Sequence, residues 1–143
     1  KFKVDYRVIP ATTFMEPEIA RVGLNEREAS EQNIEYEISR YQLDDLDRAI
    51  VEGETRGFVK VLTEPGKDRI LGATIVGEHA GELLAEFVLA MKHGLGLNKI
   101  LGTIHAYPTW AESNKYVAGV WKKDHAPQRI LEWLQRYHTW RRA

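Results

Sequence analysis

Three side chains within one eight-residue run, His105, Tyr107 and Glu112, could do chemistry together. The run reads His105-Ala106-Tyr107-Pro108-Thr109-Trp110-Ala111-Glu112. An imidazole and a phenol each give or take a proton, and a nearby carboxylate can orient either one, which suits a polar group held at the edge of a cleft. The same residues spell a helix start. Pro108 presets a φ near the helical value, Thr109 is a good N-cap residue and Glu112 follows three positions later, so Thr109 and Glu112 are predicted to form a capping box. Capping alone accounts for those two residues. The loop before the cap offers His105 and Tyr107, and Glu112 on the first helical turn can aim its carboxylate back toward them.

The elements that must hold this motif can be read in chain order. Lys1 to Ile9 alternates loosely and stops at Pro10, as an incoming strand or ordered linker would. Thr12 to Met15 is β-prone, Pro17 interrupts it and Ile19 to Gly23 resumes, which predicts a single kinked or bulged edge strand. Asn25 with Glu28 predicts a short helix to Gln32, closed by Asn33. Ile34, Tyr36 and Ile38 set a period-2 strand running to about Leu43. A short helical turn from Leu46 to Glu52 then ends at Gly53. Phe58 to Thr63 and Arg69 to Val76 flank Pro65-Gly66 as a hairpin, and Gly72 implies a bulge or a close backbone approach. Leu83, Leu84, Phe87, Val88 and Met91 trace one face of a helix that stops near Gly94. The motif's own helix continues through Ser113, Tyr116, Val117 and Val120, with Trp121 to Pro127 punctuating its end. A last helix is predicted from Pro127, with Ile130, Leu131, Trp133, Leu134, Tyr137 and Trp140 on a face that packing within the chain or a dimer would cover. The other reading of that face is a basic aromatic helix lying on a membrane surface.

Other stretches that mimic sites are better explained without them. Asp44, Asp45 and Asp47 lack the glycine and the distal glutamate of a calcium loop and read as solvated acids. His79 and His93 flank a rigid helix, too far apart to share a ligand, so no metal is predicted. The glycines at 94, 96 and 102 follow a helix, where a phosphate loop follows a strand, so this segment reads as a turn. At 143 residues the chain suits one domain with one core, and a net charge of -1 gives no pull toward nucleic acid. The absence of cysteine excludes disulfides, thiolate nucleophiles and cysteine metal sites within these residues. No apolar run reaches the roughly 20 residues a membrane span needs, so a soluble piece is expected. Lys1 at the first position fits an excised domain as well as a processed protein.

This order of elements predicts an α+β domain, a mainly antiparallel sheet with helices packed on one face. Four stretches then carry a resemblance. His105 to Glu112 is similar to the His-Ala-His-Pro-Thr-x-x-Glu segment of the pyridine nucleotide-disulfide oxidoreductases, flavoenzymes that include dihydrolipoamide dehydrogenase, glutathione reductase and mercuric reductase. Pro10 to Gly23 resembles the family's Pro-x-x-x-Phe-x-x-Pro-Glu-x-Ala-x-Val-Gly entry, with Phe14, Pro17, Glu18, Ala20, Val22 and Gly23 in place. Gly57 to Gly77 resembles its Gly-Phe-x-Lys hairpin leading to Ile-Leu-Gly-x-x-x-x-Gly. Asn114 to Lys122 resembles an Asn-Lys-Tyr-Val-Ala-Gly-x-Trp-Lys stretch of the mercuric reductase-like group.

The resemblance implies a single C-terminal dimerisation domain over residues 1–143, with a core at about 10–120 and an additional helical tail at 121–143. It implies a homodimer in which this domain forms one wall of the partner subunit's flavin and substrate site. FAD and NAD(P)H would be held by N-terminal domains of the same polypeptide, with none bound by this fragment, which alone would be inert. In the family the histidine directly before the proline shuttles a proton and the later glutamate orients it. Tyr107 occupies that histidine's position here, Glu112 matches the glutamate, and His105 matches the motif's first, non-catalytic histidine. Tyr107, Glu112 and His105 are therefore the implied catalytic-site residues, and Tyr107 and Pro108 the implied cofactor contacts. A phenol with an ordinary pKa near 10 is a poor proton shuttle at neutral pH, so the mercuric reductase-like side of the family is the nearer likeness. The implied parent is cytoplasmic or membrane-associated, with no membrane segment in this domain. Two other classes stay open: an interaction module with no activity, and a hydrolase using His105 and Glu112, for which Ser113 lacks a nucleophile elbow.

Overall fold

The computed structural model describes residues 6–127 and Arg141. The tail helix expected from Pro127 lies outside the described residues. At the other end Tyr6–Val8 forms a 3-10 turn, where a strand or linker was expected.

Five strands, β1 (Ala11–Thr13), β2 (Glu18–Gly23), β3 (Glu37–Gln42), β4 (Phe58–Thr63) and β5 (Ile70–Gly77), form one antiparallel sheet in the order β1-β2-β5-β4-β3. The kinked edge strand is instead two strands. Thr12 pairs with Ala20 and Thr13 with Ile19, so the chain turns back on itself at Phe14 to Pro17, through a cis Glu16–Pro17 peptide. The Pro65-Gly66 hairpin forms as expected, with Gly66 at φ 68°. Gly72 fulfils both readings made for it: the register shifts between Leu62 and Thr63 opposite this part of β5, and a Cβ at Gly72 would lie 2.0 Å from the Leu24 carbonyl oxygen.

Because side chains alternate across a strand, the rows Ala20–Ile75–Val59 and Val22–Ala73–Val61 share one face. That face is the core, covered by α3 (Ala80–Lys92) against β2 and β5 and by α5 (Glu112–Asp124) against β3 and β4. Phe87 at the middle of α3 is fully buried, which stabilises the fold by about 1.5–3 kcal/mol. The antiparallel sheet with its long helices on one face is the architecture expected. The small α1 (Glu26–Glu31) sits over the other face, where Glu28 pairs with Arg21, Glu26 with Lys60, and Ala29 and Leu62 are buried outside the main core. Its start is the reciprocal cap read from Asn25 and Glu28: each side chain bonds the other's backbone N–H.

Three smaller elements complete the frame. After a 3-10 turn at Leu43–Asp45, α2 (Asp47–Glu52) ends at Gly53, in the left-handed region at φ 77°. The glycine-rich segment is more than a turn: α4 (Leu97–Leu101) forms inside it, with the Asp68 carboxylate accepting from the Asn98 N–H. A Cβ at Gly96 would meet that same carboxyl group at 2.4 Å, so the approach needs glycine. The motif helix ends within the stretch expected to punctuate it, running through Trp121 to a cap at His125. Among the described residues no helix is long and apolar enough to cross a membrane.

Candidate functional site

The motif spans the gap between α4 and α5, and its residues face different ways. His105 turns inward, with its side chain only 7% exposed. Its Nδ1 lies 3.0 Å from the Thr103 carbonyl oxygen, and its Nε2 lies 3.0 and 3.3 Å from the two carboxylate oxygens of Glu86 on α3. Asn114 of α5 donates to the same carboxylate at 2.9 Å and to the Leu83 carbonyl at 2.9 Å. One carboxylate thus ties the motif loop to both long helices. Buried polar groups are costly unless partnered, and here the imidazole and the Asn114 amide N–H both find the Glu86 carboxylate, while the buried Asn114 Oδ1 has no hydrogen-bond partner.

Tyr107 turns outward and is 69% exposed. Its phenol donates to Asp47 Oδ2 at 2.8 Å. That hydrogen bond and the Asp47 charge, with smaller contributions from burial, Glu112 and Tyr116, push the phenol above its ordinary pKa, because a neighbouring anion disfavours phenolate. Pro108 beside it is exposed, and the Tyr107–Pro108 peptide is cis.

The helix start below the loop departs from the capping box. Glu112 does its half, accepting the Thr109 N–H at 3.1 Å. Thr109 does not: its hydroxyl donates to the Ala106 carbonyl at 2.6 Å, and the N-cap position falls at Ala111, which has no side-chain cap. Glu112 is 5% exposed and its second oxygen accepts from the Tyr116 hydroxyl at 3.3 Å. Burial and the Glu112 charge push Tyr116 up as well. Tyr41 stacks obliquely on Tyr116 at 5.2 Å, and burial first, then Asp45, push it above the ordinary tyrosine range. Trp110 is nearly buried and its indole N–H donates to Glu52 at 3.0 Å; that bond is the largest influence holding the Glu52 carboxyl low, with Arg48 adding to it.

The structure therefore sets Tyr107 and Pro108 outward on the loop, Glu112 inward on α5 with its carboxylate on Thr109 and Tyr116 and on neither Tyr107 nor His105, and His105 behind them as an internal anchor. Sequence reasoning missed the partners Asp47, Glu52, Glu86, Asn114 and Tyr116. Only Tyr116 had a local signal, standing four residues after Glu112 on the same helix face. A groove of about 370 Å³ runs beside the motif, lined by His79, Leu83, Glu86, Trp110 and Asn114. Among the described residues no three metal-binding side chains converge. Among the described residues the arrangement presents an exposed phenol above a buried mount, with the Asp47 carboxylate beside it as its hydrogen-bond acceptor.

Residues 9–118 match the family model described as the pyridine nucleotide-disulphide oxidoreductase dimerisation domain. The mitochondrial dihydrolipoyl dehydrogenase of Dictyostelium discoideum is 41% identical over 115 residues, covering 80% of this chain and 24% of that protein. The human mitochondrial dihydrolipoyl dehydrogenase is 36% identical over 110 residues, covering 77% and 22%. Among solved structures, LpdA from Mycobacterium tuberculosis superposes with a TM-score of 0.75 at 25% identity, covering 81% of this chain and 25% of that one. The HOCl-induced flavoprotein disulfide reductase RclA from Escherichia coli superposes with a TM-score of 0.73 at 26% identity, covering 78% and 26%. The chain spans about a quarter of the length of the relatives it matches.

Proposed function

Because this chain belongs to the pyridine nucleotide-disulphide oxidoreductase family as its dimerisation domain, we infer that it pairs two copies of a larger FAD- and NAD(P)H-dependent oxidoreductase and closes one wall of the partner subunit's flavin and substrate site. Its parent is cytoplasmic and nearest in kind to the mercuric reductase-like members, since Tyr107 stands where a proton-shuttling histidine would. The observation that carries the wall role is the contrast between a 69% exposed Tyr107 ring and a mount buried beneath it, with Glu112 at 5% and the His105 side chain at 7%.

The described residues fit the edge of a flavin site and not its cradle. The motif loop projects an exposed aromatic ring and an exposed proline, while the strand-to-helix connection from β5 to α3, with Gly77 and Gly81, has its Gly81 N–H already donated to Glu18 at 3.1 Å and lacks the Gly-x-Gly-x-x-Gly spacing that binds a pyrophosphate. When bound, FAD supplies the carrier for two electrons. Tyr107 and Pro108 contribute a shaped surface beside it, Glu112 holds the loop onto α5, and His105 fastens the loop to α3. The raised Tyr107 phenol keeps its proton at neutral pH, so its part is orientation and hydrogen bonding, and a proton shuttle belongs to another group.

The test uses the full-length, FAD-loaded parent. Tyr107→Phe should change the rate at which substrate reoxidises the reduced flavin while sedimentation still shows a dimer, because only the hydroxyl is lost. Identical reoxidation rates in the two proteins would remove Tyr107 from the site.

A further inference from the structure

Two carboxylates of α2, from its first and last residues, reach the motif across about 60 positions of sequence: Asp47 accepts from Tyr107 at 2.8 Å and Glu52 accepts from Trp110 at 3.0 Å. Between those two contacts lie only Pro108 and Thr109, and Thr109 is itself bonded to Ala106 and Glu112. The loop is thus held on both sides of its outward bend by one short helix. Gly53 closes that helix in the left-handed region, and Arg48 pairs with Glu52 along it. A phenol O–H meeting a carboxylate is a charge-assisted bond, shorter and stronger than a neutral one. An exposed ring without such a tether would sample several rotamers.

We propose that Asp47 is a positioning residue for Tyr107, and that α2, through Asp47 and Glu52, fixes the direction in which the motif presents the ring to the partner subunit. This rests on the wall role inferred above. A phenol is protonated at neutral pH in any case and this carboxylate raises it further, so the Tyr107 O–H remains a donor to Asp47 there. Asp47 acts on the site through the tyrosine and does not itself touch flavin or substrate.

The full-length FAD-loaded protein is studied with Asp47→Ala, Asp47→Asn and Tyr107→Phe. Two readouts are taken: the Tyr107 phenol titration, isolated as the ultraviolet difference from Tyr107→Phe, and the rate of flavin reoxidation. Asp47→Ala should let Tyr107 ionise at lower pH than in the parent and slow reoxidation roughly two- to tenfold, the worth of one hydrogen bond. Asp47→Asn also loses the charge and lowers the titration, but its amide oxygen still accepts the phenol proton and should restore most of the rate. An unchanged titration in Asp47→Ala overturns the tether, whatever Tyr107→Phe does to the flavin. A lowered titration with reoxidation unchanged in both Asp47→Ala and Tyr107→Phe overturns the wall role and the positioning claim with it, leaving Asp47 as a surface contact.

Discussion

Replacing Glu112 by alanine removes one carboxylate that serves two donors. The Thr109 N–H loses its 3.1 Å acceptor, equivalent to losing a helix cap and costing about 0.5–2 kcal/mol. The Tyr116 hydroxyl loses a longer bond of 3.3 Å on a half-buried ring, where water can substitute, so it adds about 0.5 kcal/mol. The sum is roughly 1–2.5 kcal/mol, and a domain of this length shifts its Tm by about 3–5 °C per kcal/mol, so the midpoint should fall by roughly 3–12 °C. Calorimetry or circular dichroism on Glu112→Ala measures it directly. Glu112→Gln keeps an acceptor for the Thr109 N–H and should lose less than half as much. The variant also removes an anion beside Tyr116, so that phenol should titrate at lower pH than in the parent. A Tm within about 1 °C of the parent would refute the assignment of Glu112 as the fastening of the loop, since even the weaker bond predicts more.

Two further outcomes follow from the frame. His125 Nδ1 lies 2.8 Å from the Trp121 carbonyl oxygen and Nε2 2.8 Å from a Glu37 carboxylate oxygen, both acceptors that favour the doubly protonated ring, and these contacts raise its folded pKa above the unfolded value. A raised pKa stabilises the fold fully below the unfolded value near 6.5 and loses that contribution as pH rises through the folded one. The destabilisation by His125→Ala, measured as a shift in urea midpoint, should therefore be larger at about pH 5.5 than at about pH 9; a pH-independent deficit would contradict the pairing. Gly72→Ala puts a methyl group 2.0 Å from the Leu24 carbonyl and should force β5 and the β2–α1 connection apart, costing on the order of 1–3 kcal/mol in urea unfolding. A neutral effect would mean that the backbones do not approach as described.

Local chemistry made part of this fold legible before any coordinates. Asn25 with Glu28 and Pro65 with Gly66 carry their instructions within four residues, and the helix start and the hairpin formed as read. The β1–β2 hairpin was missed because Phe14 to Pro17 looks alike whether it breaks one strand or turns between two; pairing across the turn decides, and pairing is not local. α4 was missed for a related reason, since its first turn is held by Asp68 from a distant loop. At the site, the motif residues were visible and their partners were not. Asp47 and Glu52 stand 60 and 58 positions from the side chains they hold, and Glu86 reads in sequence as one more charge on the polar side of an amphipathic helix. Thr109 shows the limit of a cap signature, since its hydroxyl had a second acceptor within reach at Ala106.

The bond from Glu86 to His105 and Asn114 has a consequence for how this family's chemistry can vary. A polar bolt through three elements has one correct setting, because sliding either helix by a turn would part the Glu86 carboxylate from the donors it holds. The mount is therefore indexed, while the residue it carries points away from every one of those contacts. Under the wall role proposed above, position 107 is a socket: a side chain exchanged there leaves the Glu86 contacts of the domain beneath as they were.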